Sequence, residues 1–243
     1  YAAFIPGRAV DQIRNAICYP ALSVKLVVSH GGLTVGPDGA SHQQIEDLST
    51  TRAMPNMRVM VPADAVAVRH LIKVMVNTPG PFYMRLARPT TELIYSESTP
   101  EEQFSIGKGN LLADGTDATI IACGLMVGKA LEAASTLKRE HGLSVRVVDM
   151  FTIKPVDVEL VAKCARETGA IVTAEEHNII GGLGSAVSEA AGETYPVPIK
   201  RVGVRDTFGE SARDEEVDRL LEQYGLTATE IAKAVLETRS RAK

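Results

Sequence analysis

Short apolar runs without polar alternation are the feature that most restricts the fold of this chain. Residues 24–28, 59–61 and 82–86 are rich in apolar side chains, and segments with one apolar stripe at helical spacing lie between them. A strand with one face in water alternates apolar and polar residues, whereas a strand covered on both faces does not. The pattern therefore predicts an α/β fold with mostly parallel sheets between layers of helices.

The second half of the chain repeats the same order of strand and helix. Residues 118–122, 145–148 and 170–174 are further apolar runs. Residues rich in Pro, Thr, Ser and Glu separate the halves, as in a linker. We therefore predict two domains, residues 1–92 and 108–243, joined by a linker at 93–107. Asp114-Gly115 lies between two apolar stretches, which predicts a hairpin turn.

Charge and composition exclude several classes of protein. The chain has 26 Lys and Arg against 30 Asp and Glu, a net charge of −4, which argues against an electrostatic nucleic-acid binder. Its apolar runs are shorter than the roughly 18 residues that cross a bilayer, and its start lacks the layout of a signal peptide. We therefore expect a cytoplasmic protein whose three separated cysteines are reduced, buried thiols.

The most informative segment is a glycine-rich stretch at residues 29–44, directly after a buried strand. Open α/β sheets place their ligand sites at this end of a strand, and glycines let the backbone approach a ligand closely. His30, Asp38 and His42 lie within the stretch. Two imidazoles and a carboxylate in one such loop predict polar substrate recognition and proton transfer. The alternatives are that both histidines cap loop carbonyls, or that the trio binds a metal, which no short ligand spacing favours.

A helix is predicted to begin at His42. Ser41 and Gln44 have the spacing of a capping box. The partial positive charge of a helix N-terminus would then keep the His42 imidazole neutral near pH 7.

Three further groups of residues have two interpretations each. One of Arg85 and Arg88, at the end of a strand, either binds phosphate or pairs with the acidic linker. Residues 175–177, Glu-Glu-His, form either an interface or a site. The glycines at 181–184 have the wrong spacing for a dinucleotide turn, which leaves a tight strand-to-helix turn or a close backbone contact with another subunit.

Several motifs resemble one enzyme family along nearly the whole chain. Residues 29–44, SHGGLTVGPDGASHQQ, with RAMPN at 52–56 and PAD at 62–64, closely resemble the pyrimidine-binding domain of transketolases. AEEHN at 174–178 and GGLGS at 181–185 resemble the C-terminal transketolase domain. The chain is most similar to the C-terminal subunit of a transketolase split into two polypeptides. The resemblance implies that residues 1–92 are the pyrimidine-binding domain, with its N-terminal part missing, and that residues 108–243 are the transketolase C-terminal domain.

The resemblance also implies a reaction and a cofactor. Thiamine diphosphate would carry the chemistry that moves a two-carbon ketol unit from a ketose phosphate to an aldose phosphate. Deoxyxylulose-phosphate synthases and the β subunits of 2-oxo acid dehydrogenases are the alternatives within related enzymes. A scaffold subunit without catalysis is the alternative from another class.

Roles for five residues follow from their positions in the family motif. The resemblance implies that His42 and His30 are catalytic, His42 at the ketol unit and His30 at the substrate phosphate or nearby hydroxyls. Asp38 would accept a hydrogen bond from the sugar hydroxyl beside the reacting carbonyl, and Arg88 would bind the sugar phosphate. Phe4 would pack on the aminopyrimidine of the cofactor; otherwise it is an ordinary core aromatic.

Two family features are absent from this sequence. The glutamate that protonates the aminopyrimidine would lie before Tyr1, on a segment that the sequence does not contain, and the Gly-Asp-Gly motif that binds diphosphate and Mg²⁺ is missing. The resemblance therefore implies a partner, the transketolase N-terminal subunit, which holds the diphosphate and the metal. We expect no metal ligands in this chain, activity only with the partner, and a heterotetramer that binds sugar phosphates.

Overall fold

A computed structural model describes residues 1–241 as two sheets with helices against their faces. The strands are β1 (Lys25–Val28), β2 (Arg58–Met60), β3 (Phe82–Arg85), β4 (Asn110–Ala113), β5 (Ala118–Ala122), β6 (Val145–Asp149), β7 (Thr152–Lys154), β8 (Ile171–Asn178) and β9 (Ile199–Val204). The α-helices are α1 (Ile5–Gln12), α2 (Asp47–Ala53), α3 (Ala65–Asn77), α4 (Met126–His141), α5 (Val158–Thr168), α6 (Leu183–Thr194), α7 (Val217–Gln223) and α8 (Ala228–Arg241). The predicted α/β fold class is confirmed.

Both sheets are mostly parallel. The first has the order β1-β3-β2-β7, with β7 antiparallel to β2, and the second has the order β4-β6-β5-β8-β9, with β4 antiparallel to β6. The predicted hairpin at Asp114-Gly115 is wrong, because β4 pairs with β6 and not with β5. Both edges of β5 are already occupied by β6 and β8.

Burial explains why the apolar runs identify the strands. All five residues of β5 and all five of β6 are buried, so neither strand needs polar alternation. Strand β8 extends past its predicted end at residue 174, because Glu175, Glu176 and His177 are polar but still buried. All three cysteines are free and buried, as predicted.

The side chain of Asp64 fixes the start of α3 and holds a second segment of the chain. Asp64 accepts a hydrogen bond from the amide of Ala67 (2.8 Å) and caps α3, and its other oxygen accepts from the amides of Ile94 and Tyr95. One carboxylate therefore joins a helix of the first sheet to the segment that leads into the second. Within the described residues, no helix has the length and apolarity that crossing a bilayer requires.

A buried carboxyl group lies where β6 ends. Asp149 is fully buried, and the Tyr95 hydroxyl donates to its Oδ2 (2.7 Å), while its Oδ1 has no hydrogen-bond partner within residues 1–241. Burial raises the pKa of Asp149 to about 7, opposed by the Tyr95 hydrogen bond and assisted by the charge of Asp64. The folded protein therefore favours the neutral acid.

Asp149→Asn is expected to stabilise the protein above neutral pH. The folded-state pKa of about 7 exceeds the ordinary value of 3.8, so the wild type loses stability relative to the variant as pH rises between these values. The difference in unfolding free energy should approach zero below pH 4 and reach roughly 2–4 kcal/mol above pH 7. Thermal unfolding of both proteins from pH 4 to pH 8 measures it; a difference independent of pH would contradict the assignment.

Candidate functional site

Four aromatic rings meet at the carboxyl edge of the first sheet. The rings of Tyr1 and His30 stack with centroids 3.9 Å apart, and Phe4 meets His42 edge to face at 5.2 Å. The amide of Ala2 donates to the carbonyl of Ser29 (2.8 Å), which ties the start of the chain to the loop after β1. The structure thus brings together three of the predicted site residues, His30, His42 and Phe4.

Each histidine is held by the serine that precedes it. The Ser29 hydroxyl lies 2.7 Å from Nδ1 of His30, and the Ser41 hydroxyl lies 2.9 Å from Nδ1 of His42. Neither Nε2 atom has a hydrogen-bond partner within residues 1–241, so both can bind a ligand. Sequence reasoning assigned Ser41 to a capping box and gave Ser29 no role, although the repeated Ser-His dipeptide is a signal that could have linked each serine to its histidine.

His30 has a strained backbone and a perturbed pKa. Its φ of +62° lies in the left-handed region, which is unusual for a residue with a side chain and is typical of functional sites. Burial and then the positive charge of Arg88 lower its pKa, against the opposing effect of Asp38. His30 is therefore neutral near pH 7, and both Arg88 and Asp38 lie within electrostatic reach of its ring.

The predicted helix at His42 is wrong. Residues 42–46 are not helical, and α2 begins at Asp47. The backbone of Gln44 instead bridges to Gly31, and its carbonyl accepts a hydrogen bond from the amide of Gly32 (2.8 Å). The amide of His42 donates to the carbonyl of Gly39 (2.9 Å), so His42 lies in a turn and not in the first turn of a helix.

A segment of the second half covers the glycine loop; we term residues 209–214 the C-terminal strap. The Gln43 amide nitrogen donates both to the carbonyl of Leu33 in the loop and to the carbonyl of Glu210 in the C-terminal strap, each at 2.9 Å. The amide of Ala212 donates to the carbonyl of Gly36 (3.2 Å). The position of the loop that carries Asp38 therefore depends on the second half of the chain.

Gly39 allows this close approach. Its φ is +68°, and a Cβ at this position would lie 2.2 Å from the Ser211 hydroxyl. Gly39 follows a short 3₁₀ turn, Gly36–Asp38, that places Asp38 at the exposed surface of the loop.

Arg85, the last residue of β3, and Arg88, three residues later, have different surroundings. Arg88 is partly exposed and forms an ion pair with Asp214 of the C-terminal strap. Asp214 lies outside the predicted linker at 93–107, so the predicted pairing of an arginine with the acidic linker is wrong for Arg88. Arg85, by contrast, is buried between the two sheets.

Arg85 anchors a buried polar network between the halves. Its Nη2 donates to the carbonyl of Glu176 (2.7 Å), and its Nε lies 3.5 Å from Oδ2 of Asp47. The Tyr83 hydroxyl donates to the same Asp47 oxygen (2.7 Å), and Glu176 Oε1 accepts from the amide of Thr34 (2.7 Å). Residues 175–177 were predicted to form either an interface or a site. The contacts of Glu176 agree with the first interpretation, as an interface between the two halves of the chain.

The glycines after β8 form a tight strand-to-helix turn. The Glu175 carboxylate accepts hydrogen bonds from the amides of Leu183 (2.7 Å) and Gly184 (2.8 Å) at the start of α6. A Cβ on Gly182 would lie 2.0 Å from Glu175 Oε2, and one on Gly181 would lie 2.4 Å from Cβ of Ser49 in the same chain. Burial raises the pKa of Glu175 to about 7, although both amide hydrogen bonds oppose the shift.

No group of three or more His, Cys, Asp or Glu side chains within residues 1–241 is arranged to hold a metal ion. The side chains gathered at the site are hydrogen-bonding and aromatic groups. Its imidazole nitrogens, carboxylate and guanidinium match a polyhydroxylated, anionic ligand. The exposed aromatic surface of Tyr1 matches a planar ring.

Comparison with known proteins identifies related sequences and structures. A model of the transketolase pyrimidine-binding domain matches residues 1–92, and a model of the transketolase C-terminal domain matches residues 107–231. A protein of Methanocaldococcus jannaschii, named for a transketolase C-terminal section, is 45% identical over 98% of this chain and 73% of its own length. The 6-deoxy-6-sulfo-D-fructose transketolase subunit SqwH of Clostridium sp. strain MSTE9 is 42% identical over 99% of this chain and 73% of its own length.

A solved structure shares the fold. It is described as a split gene transketolase, inactive beta4 tetramer, and aligns with a TM-score of 0.92 at 48% identity. The alignment covers 100% of this chain and 76% of that one.

Proposed function

This chain belongs to the transketolase family, and we propose that it is one subunit of a thiamine diphosphate-dependent transketolase. In this proposal the enzyme moves a two-carbon ketol unit from a ketose phosphate to an aldose phosphate. The observation that carries the proposal is that His30 and His42 lie together beside the rings of Tyr1 and Phe4. The charges of Asp38 and Arg88 both influence the pKa of His30.

The aromatic rings fit one end of the cofactor. The rings of Tyr1 and Phe4 lie 5.7 Å apart at the surface beside the two imidazoles, which supports the packing of Phe4 on an aminopyrimidine. We assign the diphosphate and Mg²⁺ to the partner, the transketolase N-terminal subunit. When bound, thiamine diphosphate supplies the carbon nucleophile that carries the ketol unit.

This chain's own side chains bind the sugar and move protons. The Ser41 hydroxyl holds Nδ1 of His42, which leaves Nε2 free to face the substrate. This Nε2 hydrogen-bonds the ketol oxygen and exchanges a proton with that oxygen. His30 binds the phosphate or a nearby hydroxyl through its Nε2. Asp38 accepts a hydrogen bond from the hydroxyl beside the carbonyl, and Arg88 donates to the sugar phosphate.

The related solved structure supports dependence on a partner, since that tetramer of one kind of chain is described as inactive. We propose a heterotetramer of two copies of this chain and two N-terminal subunits. Within this chain, we propose residues 1–92 as the pyrimidine-binding domain, 93–107 as the linker and 108–243 as the C-terminal domain.

Reconstitution tests the proposed reaction. The chain is mixed with the N-terminal transketolase subunit from its own source, thiamine diphosphate and Mg²⁺, and assayed with xylulose 5-phosphate and ribose 5-phosphate. Ketol transfer is expected with the full mixture and is lost when either subunit is omitted. The assay also tests 6-deoxy-6-sulfo-D-fructose as a ketol donor, because the name of the Clostridium relative refers to it. Formation of deoxyxylulose phosphate from pyruvate, or no transfer to any acceptor, would contradict the proposal.

Ser41→Ala is expected to lower kcat by about tenfold or less, with little change in KM. The variant removes one neutral hydrogen bond that orients the His42 ring, and such a bond contributes about 0.5–1.5 kcal/mol. Steady-state kinetics of the reconstituted enzyme measure the effect. Ser23→Ala is the matched control, since that exposed serine hydrogen-bonds Lys25 away from the site; an equal effect in both variants would contradict the role of Ser41.

A further inference from the structure

We propose that Asp214, in the C-terminal strap, is a positioning residue for the substrate's phosphate group. It holds the guanidinium of Arg88 through one nitrogen, Nη1, and leaves Nε and Nη2 without a protein partner within residues 1–241. These two donors form the edge that binds phosphate in bidentate fashion. The proposal rests on the proposed function and extends it, because it gives the C-terminal half a part in substrate recognition.

Arg88 lies at the rim of the site. Its charge is the second largest influence on the pKa of His30, and the charge of Asp38 acts on both Arg88 and His30. The guanidinium therefore lies between the glycine loop and the C-terminal strap.

The C-terminal strap is itself fixed to the glycine loop. Gln43 donates to the carbonyl of Glu210, Ala212 donates to the carbonyl of Gly36, and Ser211 packs against Gly39. Because Asp38 lies between Gly36 and Gly39, the same contacts place Asp214 relative to Asp38. The strap thereby sets the distance between the group that binds the sugar hydroxyl and the group that binds the phosphate.

The Arg88–Asp214 pair has little value for stability. The two side chains are 31% and 61% exposed, and ion pairs of this kind contribute little to folding. Its effect is instead to restrict a long side chain that otherwise loses rotamer freedom when a ligand binds. A pre-oriented arginine binds phosphate more tightly than a mobile one.

The test compares three variants in the complex of this chain with its N-terminal subunit. Asp214→Ala is expected to raise KM for xylulose 5-phosphate by roughly three- to tenfold, because substrate binding must then also cover the entropy lost when the Arg88 side chain is ordered. The value of kcat should stay within about twofold of the wild type. KM for xylulose, which has no phosphate, stays at the wild-type value. Asp214→Asn restores most of the affinity, because its amide oxygen still accepts the hydrogen bond. Glu215→Ala, on the same turn, behaves as wild type.

Other outcomes overturn the proposal. They are an unchanged or lowered KM for xylulose 5-phosphate in Asp214→Ala, an equal rise of KM for xylulose, or an Asp214→Asn variant as impaired as Asp214→Ala. Unfolding midpoints measured for all variants should match the wild type, which separates orientation from loss of structure. A wild-type complex without ketol transfer refutes the proposed function, whereas an active complex that ignores the loss of Asp214 refutes this inference alone.

Discussion

His42→Ala is expected to lower kcat for ketol transfer by about 10²–10⁴-fold, the usual contribution of a positioned acid or base. The variant removes the Nε2 atom that we assign to proton transfer at the ketol unit, together with the edge-to-face contact with Phe4. Steady-state kinetics of the reconstituted complex measure kcat, and thermal unfolding shows whether the fold is retained.

Two further variants isolate the chemistry of His42. His42→Asn keeps a hydrogen-bonding side chain but cannot transfer protons at neutral pH, so it should retain substrate binding while kcat falls. His141→Ala is the control, because His141 is exposed at the end of α4, away from the candidate site. Wild-type kcat in His42→Ala would remove His42 from the catalytic residues.

Arg85→Met is expected to lower the unfolding free energy by about 3–5 kcal/mol, because it leaves buried carboxylates without their cation. Asp47 is fully buried, and its Oδ2 would retain only the hydroxyl of Tyr83. At roughly 2–4 °C per kcal/mol for a chain of this size, the unfolding midpoint should fall by about 6–20 °C. Calorimetry or circular dichroism measures the midpoint.

Arg88→Met is the matched control for Arg85→Met. Both substitutions remove a guanidinium close to the end of β3, but Arg88 is partly exposed, so its loss should shift the midpoint by no more than about 1–2 °C. Adding Asp47→Asn to Arg85→Met should recover part of the stability, because it neutralises one orphaned charge. Equal midpoints for the two arginine variants would contradict the account of the buried network.

The strands were predictable because burial on both faces leaves a local signature. β5 was predicted with the bounds that it has, and β1, β2, β3 and β6 within two residues at either end. Three edge strands were missed or misassigned: β7 and β9 were not predicted, and β4 was predicted to pair with β5. β7 is three residues long and antiparallel to β2, and the partner of β4 is β6, which follows it by more than thirty residues. Pairing between distant segments has no local signal, so it could not be read from the sequence.

The candidate site was predictable where its residues share one loop. His30, Asp38 and His42 all lie in the glycine stretch, so the sequence already placed them together. The C-terminal strap was missed, because Glu210 and Gln43 are 167 positions apart and no local pattern joins them. Arg85 and Glu176 were noticed as polar residues at the ends of apolar runs, but only the fold shows that they meet.

The wrong prediction at His42 has a specific physical cause. Ser41 and Gln44 satisfy the spacing of a capping box, yet the Ser41 hydroxyl contacts the His42 ring and Gln44 bridges to Gly31. Tertiary contacts of the loop therefore outweigh a local preference of about 1 kcal/mol. The neutral state near pH 7 is supported for His30, through its burial and Arg88, and not through a helix dipole.

The most direct test of the account is a structure of the complete complex with its cofactor and a bound ketose phosphate. We predict that the Nε2 atoms of His30 and His42 lie within about 3.2 Å of sugar or phosphate oxygens, with Asp38 on a hydroxyl and Arg88 on the phosphate. The ring of Phe4 should face the aminopyrimidine. A complex in which the sugar lies elsewhere, with both imidazoles more than one hydrogen-bond length from it, would contradict the central claim.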